Sequence, residues 1–164
     1  MAKAVFFDRD ETLNPDTGYL NNPNHFYLYP WVIEPLARLK KAGFMLILVS
    51  NQSGIGRGHI TWDQLTAIHE KLNRLLQEQA QIQLDDITVC PHSPDEECEC
   101  RKPKPKLILE AAVKHNIDLN ESFIIGDRES DYQAGKNAGL KESFLIKPGD
   151  EKTFLAAVDK ILKS

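Results

Sequence analysis

Ala4-Val5-Phe6-Phe7-Asp8-Arg9-Asp10-Glu11-Thr12 runs from four small or apolar residues straight into two aspartates one residue apart. The pattern is that of a buried strand ending in an acidic turn. In an open α/β sheet the ligand crevice lies outside the carboxyl ends of the strands. Two carboxylates placed there repel each other unless a cation lies between them. A hard divalent ion such as Mg²⁺ suits carboxylate oxygens. One aspartate is then free to act as a nucleophile and the other as a proton donor and acceptor. The competing reading of this segment alone is a capped turn with two solvated acids.

Outward from this strand, apolar runs recur at 44–49, 87–89, 122–125 and 143–146. Helical spacing fills the intervals. Val32, Leu36 and Leu39 predict one helix; Leu65, Ile68, Leu72, Leu75 and Leu76 predict a second, with Thr61 as its N-cap. Segments 107–113 and 132–138 predict two more, and Phe154, Val158, Ile161 and Leu162 close the chain on another. Strand and helix in alternation predict an α/β fold, a doubly wound and mostly parallel sheet covered on both faces. Segments 14–30 and 91–105 break the alternation and read as long loops over the active face.

The 164 residues fit one domain spanning 1–164 with a real core. A net charge of −4 argues against general nucleic-acid or membrane affinity. No apolar run is long enough to span a bilayer, and the N-terminus carries no signal-peptide pattern. The expectation is a cytoplasmic protein in a reducing compartment, monomeric by default.

The strand ends converge on one chemistry. Asp8 and Asp10 follow the first strand. Ser50 and Asn51 follow the second and can offer a hydroxyl, an amide and backbone N–H groups to a phosphate. Lys102 follows the long loop after the third as a point positive charge, and Asp127 follows the fourth, with Asp131 one helical turn later. Singly, Ser50 reads as a cap and Lys102 as a surface lysine. Together they form a phosphoryl-transfer set. Cys90, His92, Cys98 and Cys100 supply three thiolates and an imidazole, a full set for a structural tetrahedral Zn²⁺. The alternative is three free thiols and a surface histidine. Closing that loop on zinc would fix Arg101 and Lys102, which follow the last ligand directly.

These motifs resemble the haloacid dehalogenase (HAD) superfamily of aspartyl-nucleophile phosphatases over nearly the whole chain. They are Asp8-Arg9-Asp10-Glu11-Thr12, Ser50-Asn51, Lys102 and Gly126-Asp127-Arg128-Glu129-Ser130-Asp131. The resemblance implies a Rossmann-like sheet. It implies that Asp8 attacks phosphorus and that Asp10 protonates the leaving oxygen and then activates water. It places Mg²⁺ on the Asp8 carboxylate, the Asp10 backbone carbonyl and Asp127, and the phosphoryl group on Ser50 and Lys102. Asp131 would orient the metal shell or cap the following helix. Near relatives usually carry glycine where this chain has Glu11; since other branches accept acids there, a positive φ is not expected to be obligatory.

Cys98-Glu99-Cys100-Arg101-Lys102-Pro103-Lys104-Pro105 is similar to the small zinc-containing branch of that superfamily, which includes heptose 1,7-bisphosphate phosphatases and histidinol-phosphate phosphatases. The tract from Asn51-Gln52-Ser53-Gly54 to Gly58, with Gly18-Tyr19, is similar to the heptose group. By this resemblance Arg101 would meet a second phosphate. Asp16, Thr17, Gly18 and Tyr19 would line the sugar side, with Gln52, Ser53 and Arg128 as further substrate contacts. The chain has no room for a separate cap domain, so the two long loops must shield the site. Hydrolysis of a sugar bisphosphate is the leading expectation and histidinol phosphate the alternative. A nucleic-acid-binding zinc module or polynucleotide-end phosphatase is a more distant reading, based on the run Arg101, Lys102, Lys104 and Lys106. Whether Tyr27, Tyr29 and Trp31 form a substrate wall or a hydrophobic plug is open at this stage.

Overall fold

The computed structural model describes residues 1–164. β1 (Lys3–Phe7) is the central strand: its Phe7 lies opposite Leu48 of β2 (Phe44–Asn51) on one edge and Ile125 of β4 (Phe123–Gly126) on the other. β3 (Asp86–Cys90) adds to β2 and β5 (Glu142–Leu145) to β4. All pairings are parallel, in the order β3-β2-β1-β4-β5. Six helices connect and cover them: α1 (Ile33–Lys41), α2 (Ser53–Gly56), α3 (Trp62–Ala80), α4 (Lys106–His115), α5 (Glu129–Ala138) and α6 (Glu151–Lys163).

Ala4, Val5, Phe6 and Phe7 are all fully buried, the uninterrupted burial that a strand covered on both faces requires. Alternate side chains enter different cores. Val5 and Phe7 pack with Leu36 of α1, Leu72 of α3 and Phe154 of α6; Ala4 and Phe6 pack with Ile108 of α4 and Ala134 of α5. The sheet is therefore doubly wound, as the alternation predicts. Connections run one way from β1 to β3 and the other way to β4 and β5. That makes the gap between the ends of β1 and β4 the topological switch point, where ligand sites form.

Two local features depart from the sequence reading. β2 continues past residue 49 to Asn51, whose Cα partner is Cys90, so Ser50 and Asn51 sit on the strand itself. The turn after it is the short α2, which the sequence does not announce. Thr61 caps α3 as expected: its Oγ1 accepts from Gln64 N–H at 3.1 Å and its N–H donates to Gln64 Oε1 at 2.9 Å. Loop 14–30 holds only a three-residue 3₁₀ turn at Pro23–His25 and the start of a second at Pro30, and no cap domain is inserted in the chain. Tyr29 stacks on Trp31 with ring centroids 4.5 Å apart, and both pack on the larger core as a plug, while Tyr27 is exposed. No helix is long and apolar enough to cross a membrane.

Candidate active site

Asp8 extends the sheet one residue beyond β1, its N–H donating to Ile125 O at 3.1 Å. The chain then turns sharply, with the N–H groups of Thr12 and Leu13 both donating to Arg9 O, at 3.2 and 2.8 Å. This turn lifts Asp10 to the rim of the crevice while Asp8 stays at its floor. Glu11 within it has φ +65°, so the expectation that position 11 needs no positive φ is overturned. The cause is the tightness of the turn: Glu11 N–H donates to Asn14 O at 2.6 Å and its carbonyl accepts from Gly149 N–H at 2.8 Å.

Lys102 is the hub. Its buried Nζ donates to Asp8 Oδ1 at 2.9 Å, Asp131 Oδ1 at 2.6 Å and Val49 O at 2.6 Å, which satisfies all three of its protons. Burial alone would lower this ammonium's pKa, but Asp8 and Asp131 outweigh it and hold it above the usual lysine value. Asn51 clasps the Lys102 backbone on both sides, Oδ1 accepting from its N–H at 3.1 Å and Nδ2 donating to its carbonyl at 3.3 Å. Strand β2 thus carries the lysine's carbonyl anchor at Val49 and its backbone anchor at Asn51.

Asp8, Asp127 and Asp131 offer carboxylate oxygens all within 4.8 Å of one another. Asp131 is already engaged: besides Lys102, its Oδ2 accepts from Arg128 N–H at 3.0 Å, capping α5. Of the two roles that the sequence left open it therefore fills that of helix cap, and it also belongs to the acidic cluster. Gly126 permits this approach, since a Cβ there would collide with the Asp131 side chain. Asp127 is held by Thr12 Oγ1 at 3.4 Å, and burial together with the Asp8 charge pushes it up to about 7. An excess of carboxylates confined in this way fits a divalent cation on Asp8 and Asp127. The Asp10 side chain lies outside the cluster, turned toward Arg9 and Asn14.

The four sulfur and nitrogen groups also converge. Cys90 Sγ lies 3.7 Å from Cys98 Sγ and 3.5 Å from His92 Nδ1, and Cys100 Sγ lies 3.3 Å from the same Nδ1. A tetrahedron with Zn–S near ~2.3 Å has edges of about 3.8 Å, so the spacing and donor set fit zinc.

A cavity of about 400 Å³ opens above Asp8. Asp10, Asp16, Gly18, Tyr19, Asn51, Gln52, Ser53, Arg101, Lys102 and Arg128 line it as the sequence proposed, and Arg57 joins them. Arg101 Nη1 is buried without a partner, although its residue is on the wall. Two proposed contacts lie off the wall. Thr17 is exposed and does not line the cavity, and Ser50 is buried beneath Gln52, whose Nε2 donates to its Oγ at 2.7 Å. Burial, then Asp10, raises Asp16 above the usual carboxylate value. The basic run 101–106 forms no single stripe: Lys102 is buried, Lys104 pairs with Glu99 at 3.8 Å and Lys106 with Glu110 at 3.6 Å.

The sequence reading missed Arg9, Asn14 and His69. Arg9 is buried and binds Asp10, a role hinted at only by its position between two acids at the end of an apolar strand. His69 lies beside the apolar stripe of α3 and gives no signal of its own.

Comparison with known proteins agrees with this fold. Residues 99–157 match the HAD-hydrolase-like family model. The chain is 44% identical over 151 residues to the D-glycero-β-D-manno-heptose-1,7-bisphosphate 7-phosphatase of Helicobacter pylori strain J99, covering 92% of this chain and 87% of that protein. It is 43% identical to the enzyme of the same name from Pasteurella multocida, over 91% and 84% of the two chains. The crystal structure of the D,D-heptose 1,7-bisphosphate phosphatase of B. bronchiseptica, complexed with magnesium and phosphate, superposes with a TM-score of 0.83 at 35% identity, covering 94% of this chain and 86% of that one. A parallel sheet with its acids at the switch point, and relatives this similar over this much of the chain, place it among the phosphoric monoester hydrolases: it belongs to the D-glycero-β-D-manno-heptose-1,7-bisphosphate 7-phosphatase family of HAD-like enzymes.

Proposed function

We propose that residues 1–164 act as a single Mg²⁺-dependent phosphatase domain that removes the 7-phosphate of D-glycero-β-D-manno-heptose 1,7-bisphosphate. The observation that carries this reading is the pairing of two anion-binding features in one cavity. Asp8 and Lys102 occupy the floor, and the buried, unpartnered Arg101 Nη1 belongs to the wall. A guanidinium suits a second phosphate, which it binds bidentately. Relatives named for the same bisphosphate support the choice over histidinol phosphate, which has only one phosphate.

In the first step the Asp8 carboxylate attacks phosphorus, the P–O bond to the sugar breaks, and Asp10 delivers a proton to the departing oxygen. In the second, Asp10 takes a proton from water as that water attacks the aspartyl phosphate, releasing inorganic phosphate and restoring both carboxyls. Lys102 holds the transferred group and offsets its charge. Asp8, the Asp10 carbonyl and Asp127 would hold Mg²⁺, which would supply charge neutralisation on the phosphoryl oxygens. Cys90, His92, Cys98 and Cys100 would hold a Zn²⁺, which would fix the loop that carries Arg101 and Lys102.

The test is phosphate release in Mg²⁺ from the heptose bisphosphate and from histidinol phosphate, side by side, with Asp8→Asn as control. The expected result is a clear preference for the bisphosphate and a loss of at least ~10³-fold in the mutant. Preference for histidinol phosphate would overturn the substrate, and full activity of Asp8→Asn would overturn the mechanism.

A further inference from the structure

Arg9 is the largest fully buried side chain of the molecule, and the chemistry above does not use it. Its Nε donates to Asp10 Oδ1 at 3.0 Å, and its Nη2 makes an ion-pair contact with the same oxygen at 2.9 Å. Asn14 Nδ2 donates to the same oxygen at 3.0 Å. Two N–H donors and the guanidinium charge on one carboxylate oxygen leave it no free lone pair, and a proton placed there would face only other donors. Oδ2 has one longer contact, from Gln52 Nε2 at 3.4 Å, and Asp10 and Gln52 both line the cavity.

The remaining end of the guanidinium is held from behind. Arg9 Nη1 lies 3.2 Å from Nε2 of His69, which is buried on α3. Arginine has no acceptor, so Nε2 must accept and the imidazole is neutral, with its proton on Nδ1. Burial and the Arg9 charge push His69 down to about 3, in keeping with that tautomer. Without His69 one guanidinium N–H would be buried without a partner, and the fork could turn to seek one.

We propose that Arg9, backed by His69, is a positioning residue that confines the transferable proton of Asp10 to Oδ2, the oxygen facing the substrate. A chain of contacts then runs from α3 through His69 and Arg9 to Asp10, and it sets the direction of proton transfer without touching substrate. This inference rests on Asp10 being the general acid and base.

The experiment uses the leaving group. From a nitrophenyl phosphate the nitrophenolate leaves as a stable anion and needs little protonation; from a sugar or simple alkyl phosphate the departing oxygen would be an alkoxide and needs it fully. The first step, in which the leaving group departs, is read by kcat/KM. The variants are His69→Phe, which removes the acceptor; His69→Gln, which restores one; and Arg9→Lys, which keeps a buried cation but loses the fork. His69→Phe and Arg9→Lys are expected to lose about 10-fold more kcat/KM on the alkyl substrate than on the nitrophenyl one, with His69→Gln recovering most of it. Asp10→Asn, run beside them, should show the same asymmetry more strongly. If Asp10→Asn lowers both substrates equally, the acid/base reading of Asp10 fails. If Asp10→Asn shows the asymmetry but folded Arg9→Lys and His69→Phe lower both substrates equally or neither, the positioning role is overturned while that reading stands.

Discussion

Glu11 accepts a backbone conformation that L residues avoid. A φ of +65° costs about 1–2 kcal/mol relative to the right-handed region. What offsets it is the side chain. Oε1 accepts from Asp16 N–H at 2.6 Å and Oε2 from the Tyr29 hydroxyl at 3.3 Å. Burial, then the Glu11 charge, pushes that phenol up to about 12, so it stays a donor at any working pH. The carboxylate thus ties the start of the 16–19 loop, which forms one cavity wall, to the aromatic plug. Glu11→Gly should relieve the backbone and remove the tie. The expected outcome is a melting temperature within about 4 °C of wild type, since the two effects oppose. KM for the sugar bisphosphate should rise about 5-fold, with little change on a nitrophenyl phosphate. Calorimetry and steady-state kinetics check both. A large loss of stability with unchanged KM would make Glu11 merely structural.

At the scale of elements, the decisive connection is between β2, the cysteine loop and α5. Cys90 ends β3 beside Asn51, Asn51 clasps the Lys102 backbone, and Lys102 Nζ reaches Asp131 at the start of α5. Residues 91–105 have no regular structure, and a metal on the four ligands would close them. Loop closure by metal contributes directly to folding free energy. Chelating zinc, or substituting Cys98→Ser, should therefore lower kcat/KM at least ~10-fold by loosening Lys102, even in saturating Mg²⁺. Zn²⁺ should restore the chelated wild type but not the variant. Metal analysis alongside phosphate release decides it: full activity with zinc-free protein would sink the idea.

At the scale of the whole molecule, the two-way winding gathers Asp8 from β1 and Asp127 from the end of β4 at one point, and folding forces them together. Without a cation, the folded chain holds a proton on Asp127 up to about pH 7, which the unfolded chain releases near the ordinary 3.8. This contribution to stability is complete below about pH 4 and is lost as pH rises through 7. A divalent cation replaces the proton, so the rise in melting temperature on adding millimolar Mg²⁺ should be larger at about pH 8 than at about pH 5.5, and Asp127→Asn should reduce it. A rise independent of pH would show that the acids do not hold the ion. Much of this architecture was legible in the sequence, because apolar runs and helical stripes record burial directly: the five strands, the capped α3, the acids at strand ends and the cysteine cluster could all be read there. Ser50 beneath the wall, Thr17 outside it, the positive φ of Glu11 and the Arg9–His69 support of Asp10 could not. The first set depends on local pattern and on chemistry that residue types carry by themselves. The second depends on which groups meet across the chain, as Arg9 and His69 do over 60 positions, and only the packed tertiary structure decides that.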